Sequence, residues 1–200
     1  MKEALIRTES VIGSNALEKL KASRVAVFGL GGVGGNCVEA LARSGIGTLD
    51  LIDNDEVVCS NLNRQVFATQ QTIGMKKTDA AKQRVLDISP DTTVNLYPFF
   101  YLPDRKDEIP FEQFDYIVDA VDTVAAKLEL VTRCDALGKP IICAMGPGDF
   151  TSSGHYIVLV GVEDGLLRVN DPNSRENSGK LWKFEDIESQ FRNLWVIRNL

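Results

Sequence analysis

The sequence predicts an α/β protein: a doubly wound, mainly parallel sheet with helices on both faces, followed by a short C-terminal β-hairpin and helix segment of different origin. Three observations carry this expectation. Short β-rich apolar runs alternate with segments of helical spacing from residue 24 to residue 144. The first run, Arg24-Val-Ala-Val-Phe28, passes directly into glycines spaced G-x-G-x-x-G at Gly29, Gly31 and Gly34. The second run, Thr48-Leu-Asp-Leu-Ile52, ends on the acidic cluster Asp53, Asp55 and Glu56. Strand, helix and strand are thus completed within about 30 residues, as a βαβ unit requires.

Residues 14–22, SNALEKLKA, open with Ser14 as an N-cap and carry Leu17 and Leu20 at helical spacing. Arg24–Phe28 is short, β-rich and punctuated by glycine, which favours a buried parallel strand. Residues 34–45 place Val38, Leu41 and Ala42 on one helical face and stop at Gly45. Thr48–Ile52 is the second strand, and a polar loop runs on through Cys59-Ser-Asn-Leu-Asn-Arg-Gln65. Residues 76–88 predict a helix before Pro90, then Thr93–Tyr97 a strand, Asp115–Asp119 a buried strand, Val124–Leu137 a helix and Pro140–Ala144 a strand. After the small residues at 146–154 the rhythm changes. His155–Val160 and Leu166–Val169 around Glu163-Asp-Gly165 predict a hairpin, Asn170–Ser174 a turn and Trp182–Asn193 a helix.

The 200 residues are 44% hydrophobic and 25% charged, the make-up of an ordinary globular protein. A net charge of −6 marks no basic nucleic-acid module, although net charge says little about a single patch. The four cysteines, at 37, 59, 134 and 143, stand singly, which suggests neither a zinc knuckle nor a disulfide framework and fits a reducing compartment. The N-terminus lacks a basic start with an apolar run behind it, and no stretch approaches about 18 apolar residues. A cytoplasmic protein without membrane contact is expected.

The glycine spacing between a strand and a helix is that of a nucleotide-binding turn in a Rossmann-like sheet. Gly29 permits the sharp turn, Gly31 lets backbone amides approach phosphate, and Gly34 lets helix and strand pack closely. Asp53, at the end of the second strand, can accept hydrogen bonds from ribose hydroxyls. The fingerprint alone serves nicotinamide and flavin cofactors as well as ATP. Downstream, DNDEVVCSNLNRQ at 53–65, Lys77 and DAVD at 119–122 add further cations and carboxylates. A redox dinucleotide needs no such set, whereas a nucleoside triphosphate with magnesium does: cations neutralise the polyphosphate and a carboxylate holds the metal.

Through GLGGVGG at 29–35, DNDEVVCSNLNRQ at 53–65, Lys77 and DAVD at 119–122, the chain resembles the ThiF/MoeB superfamily of ATP-dependent activators related to ubiquitin-activating enzymes. The match covers residues 1–147. VDAVDTVAAKLEL and the lack of paired cysteines resemble most the tRNA threonylcarbamoyladenosine dehydratase branch. The resemblance implies an ATP and Mg²⁺ site formed by Gly29, Gly31, Gly32, Gly34, Asp53 and Asp55. Asp53 would hold the ribose, Asn63, Arg64 and Lys77 would contact the triphosphate, and Asp122 would bind magnesium. Arg7 matches an arginine that in the family reaches the ATP of a neighbouring subunit, and a homodimer is implied with it.

The tail departs from that pattern. GHYIVL at 154–159 and NDPNS at 170–174 resemble the C-terminal half of bacteriocin-processing, papain-like cysteine peptidases, in which His155 and Asp171 would be the base and its orienting partner. The nucleophile's segment is missing, so the expectation for residues 148–200 is an incomplete, vestigial peptidase-like tail without peptidase activity. The expected function is adenylation of a substrate carboxylate, with cyclising dehydration of threonylcarbamoyladenosine in tRNA first. Adenylation of a sulfur-carrier protein C-terminus, or a nucleotide-binding remnant or fusion product without turnover, are the alternatives. An NAD-dependent oxidoreductase has no hydride-chemistry residues to support it.

Overall fold

The computed structural model describes residues 3–143, 158–171 and 174–187. Five parallel strands form the main sheet: β1 (Arg24–Phe28), β2 (Thr48–Ile52), β3 (Thr93–Tyr97), β4 (Tyr116–Asp119) and β5 (Ile141–Cys143), in the order β3-β2-β1-β4-β5. Phe28 lies opposite both Ile52 and Asp119, so the carboxyl ends of the three central strands are level. That alignment puts the residues after each strand, Gly29, Asp53 and Ala120, on one rim of the sheet.

The alternation of side chains along each strand divides the core in two. Val25, Val27, Leu49, Leu51 and Val118 pack beneath α3 (Gly32–Ser44) and α4 (Lys77–Ile88), which contribute Val38, Ala42, Ala80, Ala81 and Val85. Ala26, Phe28, Ile117 and Ile141 face the other way, onto Ala126, Leu130 and Cys134 of α5 (Val124–Ala136) and onto Ile109, Phe111 and Phe114 from the β3–β4 connection. Asp50 is fully buried amid the apolar residues of β2, and Arg24 explains it: Nε and Nη2 donate to Asp50 Oδ2 and Oδ1, each at 2.8 Å.

Two helices precede β1, α1 (Ile6–Ile12) and α2 (Ser14–Ala22). Ser14 is not the N-cap expected of it. It is the first helical residue, and Gly13, which ends α1, also begins α2 without any side-chain cap. The predicted strands β1, β2 and β3 have the expected bounds; helix α3 begins earlier than expected, at Gly32 inside the glycine motif.

The tail forms an antiparallel sheet of β6 (Val158–Glu163), β7 (Leu166–Asn170) and β8 (Leu181–Trp182), with α6 (Arg175–Ser178) before β8 and α7 (Phe184–Ile187) after it. The expected hairpin is present over residues 158–170, turning at Asp164 and Gly165, with its first strand running on to Glu163 instead of ending at Val160; residues 155–157 lie outside the described residues. Trp182 is a correction: it lies in a strand, and the helix expected from it begins at Phe184, with positions 188–193 of that expectation outside the described residues. Edge pairing with β7 takes Trp182, whose indole Nε1 donates to the Asn177 carbonyl at 3.0 Å. Val169 and Ile187 join the α5-side core, and Leu167 and Trp182 pack against it. The described part of the tail therefore contributes apolar side chains to the α5-side core. Among the described residues no helix is long and apolar enough to cross a membrane.

Candidate nucleotide site

A cavity of about 710 Å³ opens at the carboxyl rim of the sheet, lined by residues that follow β1, β2, β3 and β4. From β1 the chain winds outward to β2 and β3 and then returns to β4 on the other side of β1. The cavity thus sits at the point where strand order reverses, the crevice in which open α/β sheets take ligands.

The glycines of the first rim segment serve different needs. Gly29 has φ +87°, and a Cβ there would lie 2.5 Å from the Ala120 carbonyl oxygen. At Gly34 a Cβ would lie 1.8 Å from the Gly29 carbonyl oxygen, so this glycine is required by turn-to-helix packing and does not itself line the cavity. Gly31 is otherwise: its φ is −72°, which any residue adopts, and a Cβ would meet nothing nearer than the Gln65 side-chain nitrogen at 3.9 Å. Neither backbone strain nor crowding explains its missing side chain. What the gap leaves open is access from the cavity to the first turn of α3, where a helix carries unpaired N–H groups and the positive end of its dipole.

Asp53 is nearly buried and pinned to the glycine turn. Its Oδ2 accepts from the Leu30 amide at 2.6 Å and its Oδ1 from the Asp55 amide at 2.8 Å. A carboxylate accepts about four hydrogen bonds, so capacity remains for sugar hydroxyls. Lys77, the first residue of α4, is 8% exposed at its side chain, with Nζ donating to Asp55 Oδ2 at 2.6 Å and standing 4.0 Å from Asp53 Oδ2. Its amide donates to the Asp55 carbonyl, which fixes both ends of the residue. Arg64 is exposed at the cavity wall, and its Nη1 donates to the Ser60 carbonyl at 2.7 Å and Asn63 Oδ1 at 3.0 Å.

Of the residues expected from sequence, Gly29, Gly31, Gly32, Asp53, Asp55, Arg64, Lys77 and Asp122 line this one cavity. Asn63 is beside it, holding Arg64. Arg7 is exposed on α1, whose residues are none of them buried, and is not a cavity residue of its own chain. Asp122 lies three residues beyond the end of β4, exposed, with the Thr123 hydroxyl 3.5 Å from its Oδ1. Among the described residues no group of three or more His, Cys, Asp or Glu side chains could hold a metal ion by itself. One accessible carboxylate is nonetheless what Mg²⁺ uses when phosphate oxygens and water complete its shell.

Sequence reasoning passed over the aromatic wall Phe99, Phe100 and Tyr101 and the buried amides Asn61 and Gln65, all of which line the cavity. The run PFFYLP reads as irregular chain after a strand, and only the fold brings it over the rim. Burial pushes the Tyr101 hydroxyl far above its ordinary pKa, so it stays protonated; among the described residues it has no hydrogen-bond partner. Asp171 is buried in the tail, accepting from Asn177 Nδ2 at 2.8 Å. His155 lies outside the described residues.

The described thiols are separated by burial. Burial pushes Cys37 up to about 11 and Cys134 up to about 12, whereas Cys59 is exposed. Only thiolate alkylates, and at pH 8 a group titrating near 11 is about one part in a thousand ionised. Iodoacetamide applied to the native protein at pH 8, read by peptide mapping, is expected to label Cys59 and to spare Cys37 and Cys134. Labelling of Cys37 or Cys134 as fast as Cys59 would contradict the described packing.

Comparison with known proteins agrees with this arrangement. The ThiF family model matches residues 4–192. The tRNA threonylcarbamoyladenosine dehydratase of Bacillus subtilis is 41% identical over 150 residues, 75% of this chain and 59% of its own length. The adenylyltransferase and sulfurtransferase UBA4 of Vanderwaltozyma polyspora is 37% identical over 151 residues, 76% of this chain and 34% of its own. The crystal structure of Escherichia coli tRNA N6-threonylcarbamoyladenosine dehydratase in complex with ATP superposes with a TM-score of 0.69 at 33% identity, over 70% of this chain and 58% of that one. The chain spans between a third and three-fifths of the length of these relatives.

Proposed function

The chain belongs to the ThiF family, and on that premise we propose that its cavity binds ATP with Mg²⁺ to activate a substrate carboxylate by adenylation, in a cyclising dehydration of threonylcarbamoyladenosine in tRNA. The observation that carries this reading is Gly31, whose missing side chain is required by none of the described residues and opens the start of α3 to the cavity. Beside it stand the buried Lys77 ammonium, the Arg64 guanidinium at the wall and the Asp122 carboxylate. The unspent hydroxyl of Tyr101 and the open acceptor capacity of Asp53 are further groups suited to a polar ligand.

ATP supplies an electrophilic α-phosphorus and pyrophosphate as leaving group. The chain's own residues contribute position and charge rather than a covalent nucleophile. Asp53 holds the ribose while fastening the glycine turn through Leu30. Lys77 leaves its Asp55 partner for phosphate oxygens, and Arg64, steadied by Asn63, meets them from the cavity wall. Asp122 carries the metal, and Arg7 acts from a second copy of the chain. Every lining residue among those described falls before position 127, within the part assigned to nucleotide binding; the described part of the tail contributes in this reading to the α5-side core.

A sulfur-carrier protein C-terminus is the second reading, favoured by the 37% identity to UBA4. Isothermal titration is expected to give heat with magnesium-ATP and none with NADH; the reverse would overturn the nucleotide assignment. Pyrophosphate release is then expected with tRNA bearing threonylcarbamoyladenosine. Release only with a sulfur-carrier protein would move the substrate to the second reading, and ATP binding without release from either would leave a nucleotide-binding remnant.

A further inference from the structure

Strand β4 ends on Asp119, a fully buried carboxylate, and one turn into α5 stands Lys127, an ammonium 3% exposed. Lys127 Nζ donates to Asp119 Oδ2 at 2.9 Å, while the Val121 amide donates to Asp119 Oδ1 at 3.0 Å. Between them, the Ala120 amide donates to the Phe28 carbonyl at 2.7 Å. Residues 119 to 121 are therefore tied in succession to α5, to β1 and to their own strand end. The next residue is Asp122. Ala120, Val121 and Asp122 all line the cavity, and Lys127 does not.

For stability alone this arrangement is unnecessary. Removing two charges from water is expensive, and a buried ion pair is often replaced by apolar residues of like volume without loss. What an apolar pair cannot do is set the direction of the Asp119 carboxylate, and through it the turn on which Asp122 is carried. We infer that Lys127 is a positioning residue for Asp122: by orienting Asp119 it holds the 119–122 turn in the geometry that presents the metal-binding carboxylate to the cavity. The inference rests on the nucleotide reading for the purpose of Asp122, and on geometry alone for the turn.

The test uses the whole chain in three forms, wild type, Lys127→Met and Lys127→Arg, with two readouts. The first is hydrogen exchange of the Val121 amide in ligand-free protein, followed by NMR. The second is ATP affinity by titration calorimetry with magnesium and with EDTA. In Lys127→Met, Val121 exchange is expected to rise at least about tenfold. The gain in ATP affinity that magnesium brings should shrink by about ten- to a hundredfold, the usual loss when a partner behind a metal ligand is removed, while ATP affinity in EDTA stays unchanged. Lys127→Arg restores the charge and is expected to recover most of both. Should Lys127→Met fail to fold, Lys127→Gln keeps an N–H donor of similar reach beside Asp119 without the charge, leaves the Asp119 acceptor of the Val121 amide in place, and is expected to show the same two losses in smaller measure. Wild-type exchange and wild-type magnesium dependence in the folded variant would overturn the inference alone. A wild-type chain that binds no ATP would overturn the nucleotide reading and the metal role together, and the exchange of Val121 would still decide whether Lys127 holds the turn.

Discussion

Asp122→Ala is expected to abolish magnesium-dependent pyrophosphate release while the protein stays folded. A metal-held carboxylate contributes several kcal/mol at the transition state, so loss of the ligand should lower the rate by at least about a hundredfold. Stability should barely change, because Asp122 is exposed and among the described residues its partner is the hydroxyl of Thr123 at the outer limit of a hydrogen bond; surface changes of this kind stay within about 0.5 kcal/mol. Pyrophosphate assays across a magnesium series, beside a thermal melt, check both halves. Turnover equal to wild type would remove Asp122 from the mechanism.

The second large effect separates two glycines of one motif. Gly34→Ala forces a Cβ to within 1.8 Å of the Gly29 carbonyl oxygen, a clash with backbone that no side-chain rotation relieves. Overpacking costs typically 1–3 kcal/mol and occasionally more; at the upper end the melting midpoint of a chain this size falls by roughly 6–12 °C. The glycine turn moves with it, so ATP binding should be lost as well. Gly31→Ala has no such clash and is expected to melt with the wild type. Its added methyl group instead stands in the cavity, and ATP binding should weaken without loss of stability. If Gly31→Ala destabilised as much as Gly34→Ala, the packing distinction drawn between the two positions would be wrong.

Much of the sheet is legible in the residues because β1 and β2 are buried on both faces, while the edge strand β3, with no residue fully buried, keeps the same short β-rich composition. Arg24–Phe28, Thr48–Ile52 and Thr93–Tyr97 stand out as short β-rich runs, and helices such as Val124–Ala136 show their core face at the proper period. Helix α1 escaped because it buries nothing: Ile6, Val11 and Ile12 are exposed, so no apolar face marks it. Trp182 misled for the opposite reason, since its place is set by pairing with Leu167 across a sheet edge, which local spacing does not encode. At the site, the residues that share one motif with a glycine turn were visible together. The Asp119–Lys127 pair was not, because eight positions that span a strand end and a helix start have no period to betray them. Phe99, Phe100 and Tyr101 reach the cavity only through the fold of the β3–β4 connection.

The place of Val169 and Ile187 in the α5-side core also has a consequence in time. Synthesis runs from the N-terminus, and all five parallel strands are complete when Cys143 has been added. Val169 follows 26 positions later and Ile187 44 positions later, the second an interval of about 2–9 s at ordinary elongation rates. Through that interval the nascent chain holds an assembled sheet with part of its apolar face uncovered, the condition in which chains associate with one another. Ribosome-bound chains arrested just after β5 should therefore recruit chaperones more strongly than chains arrested after Ile187 has emerged.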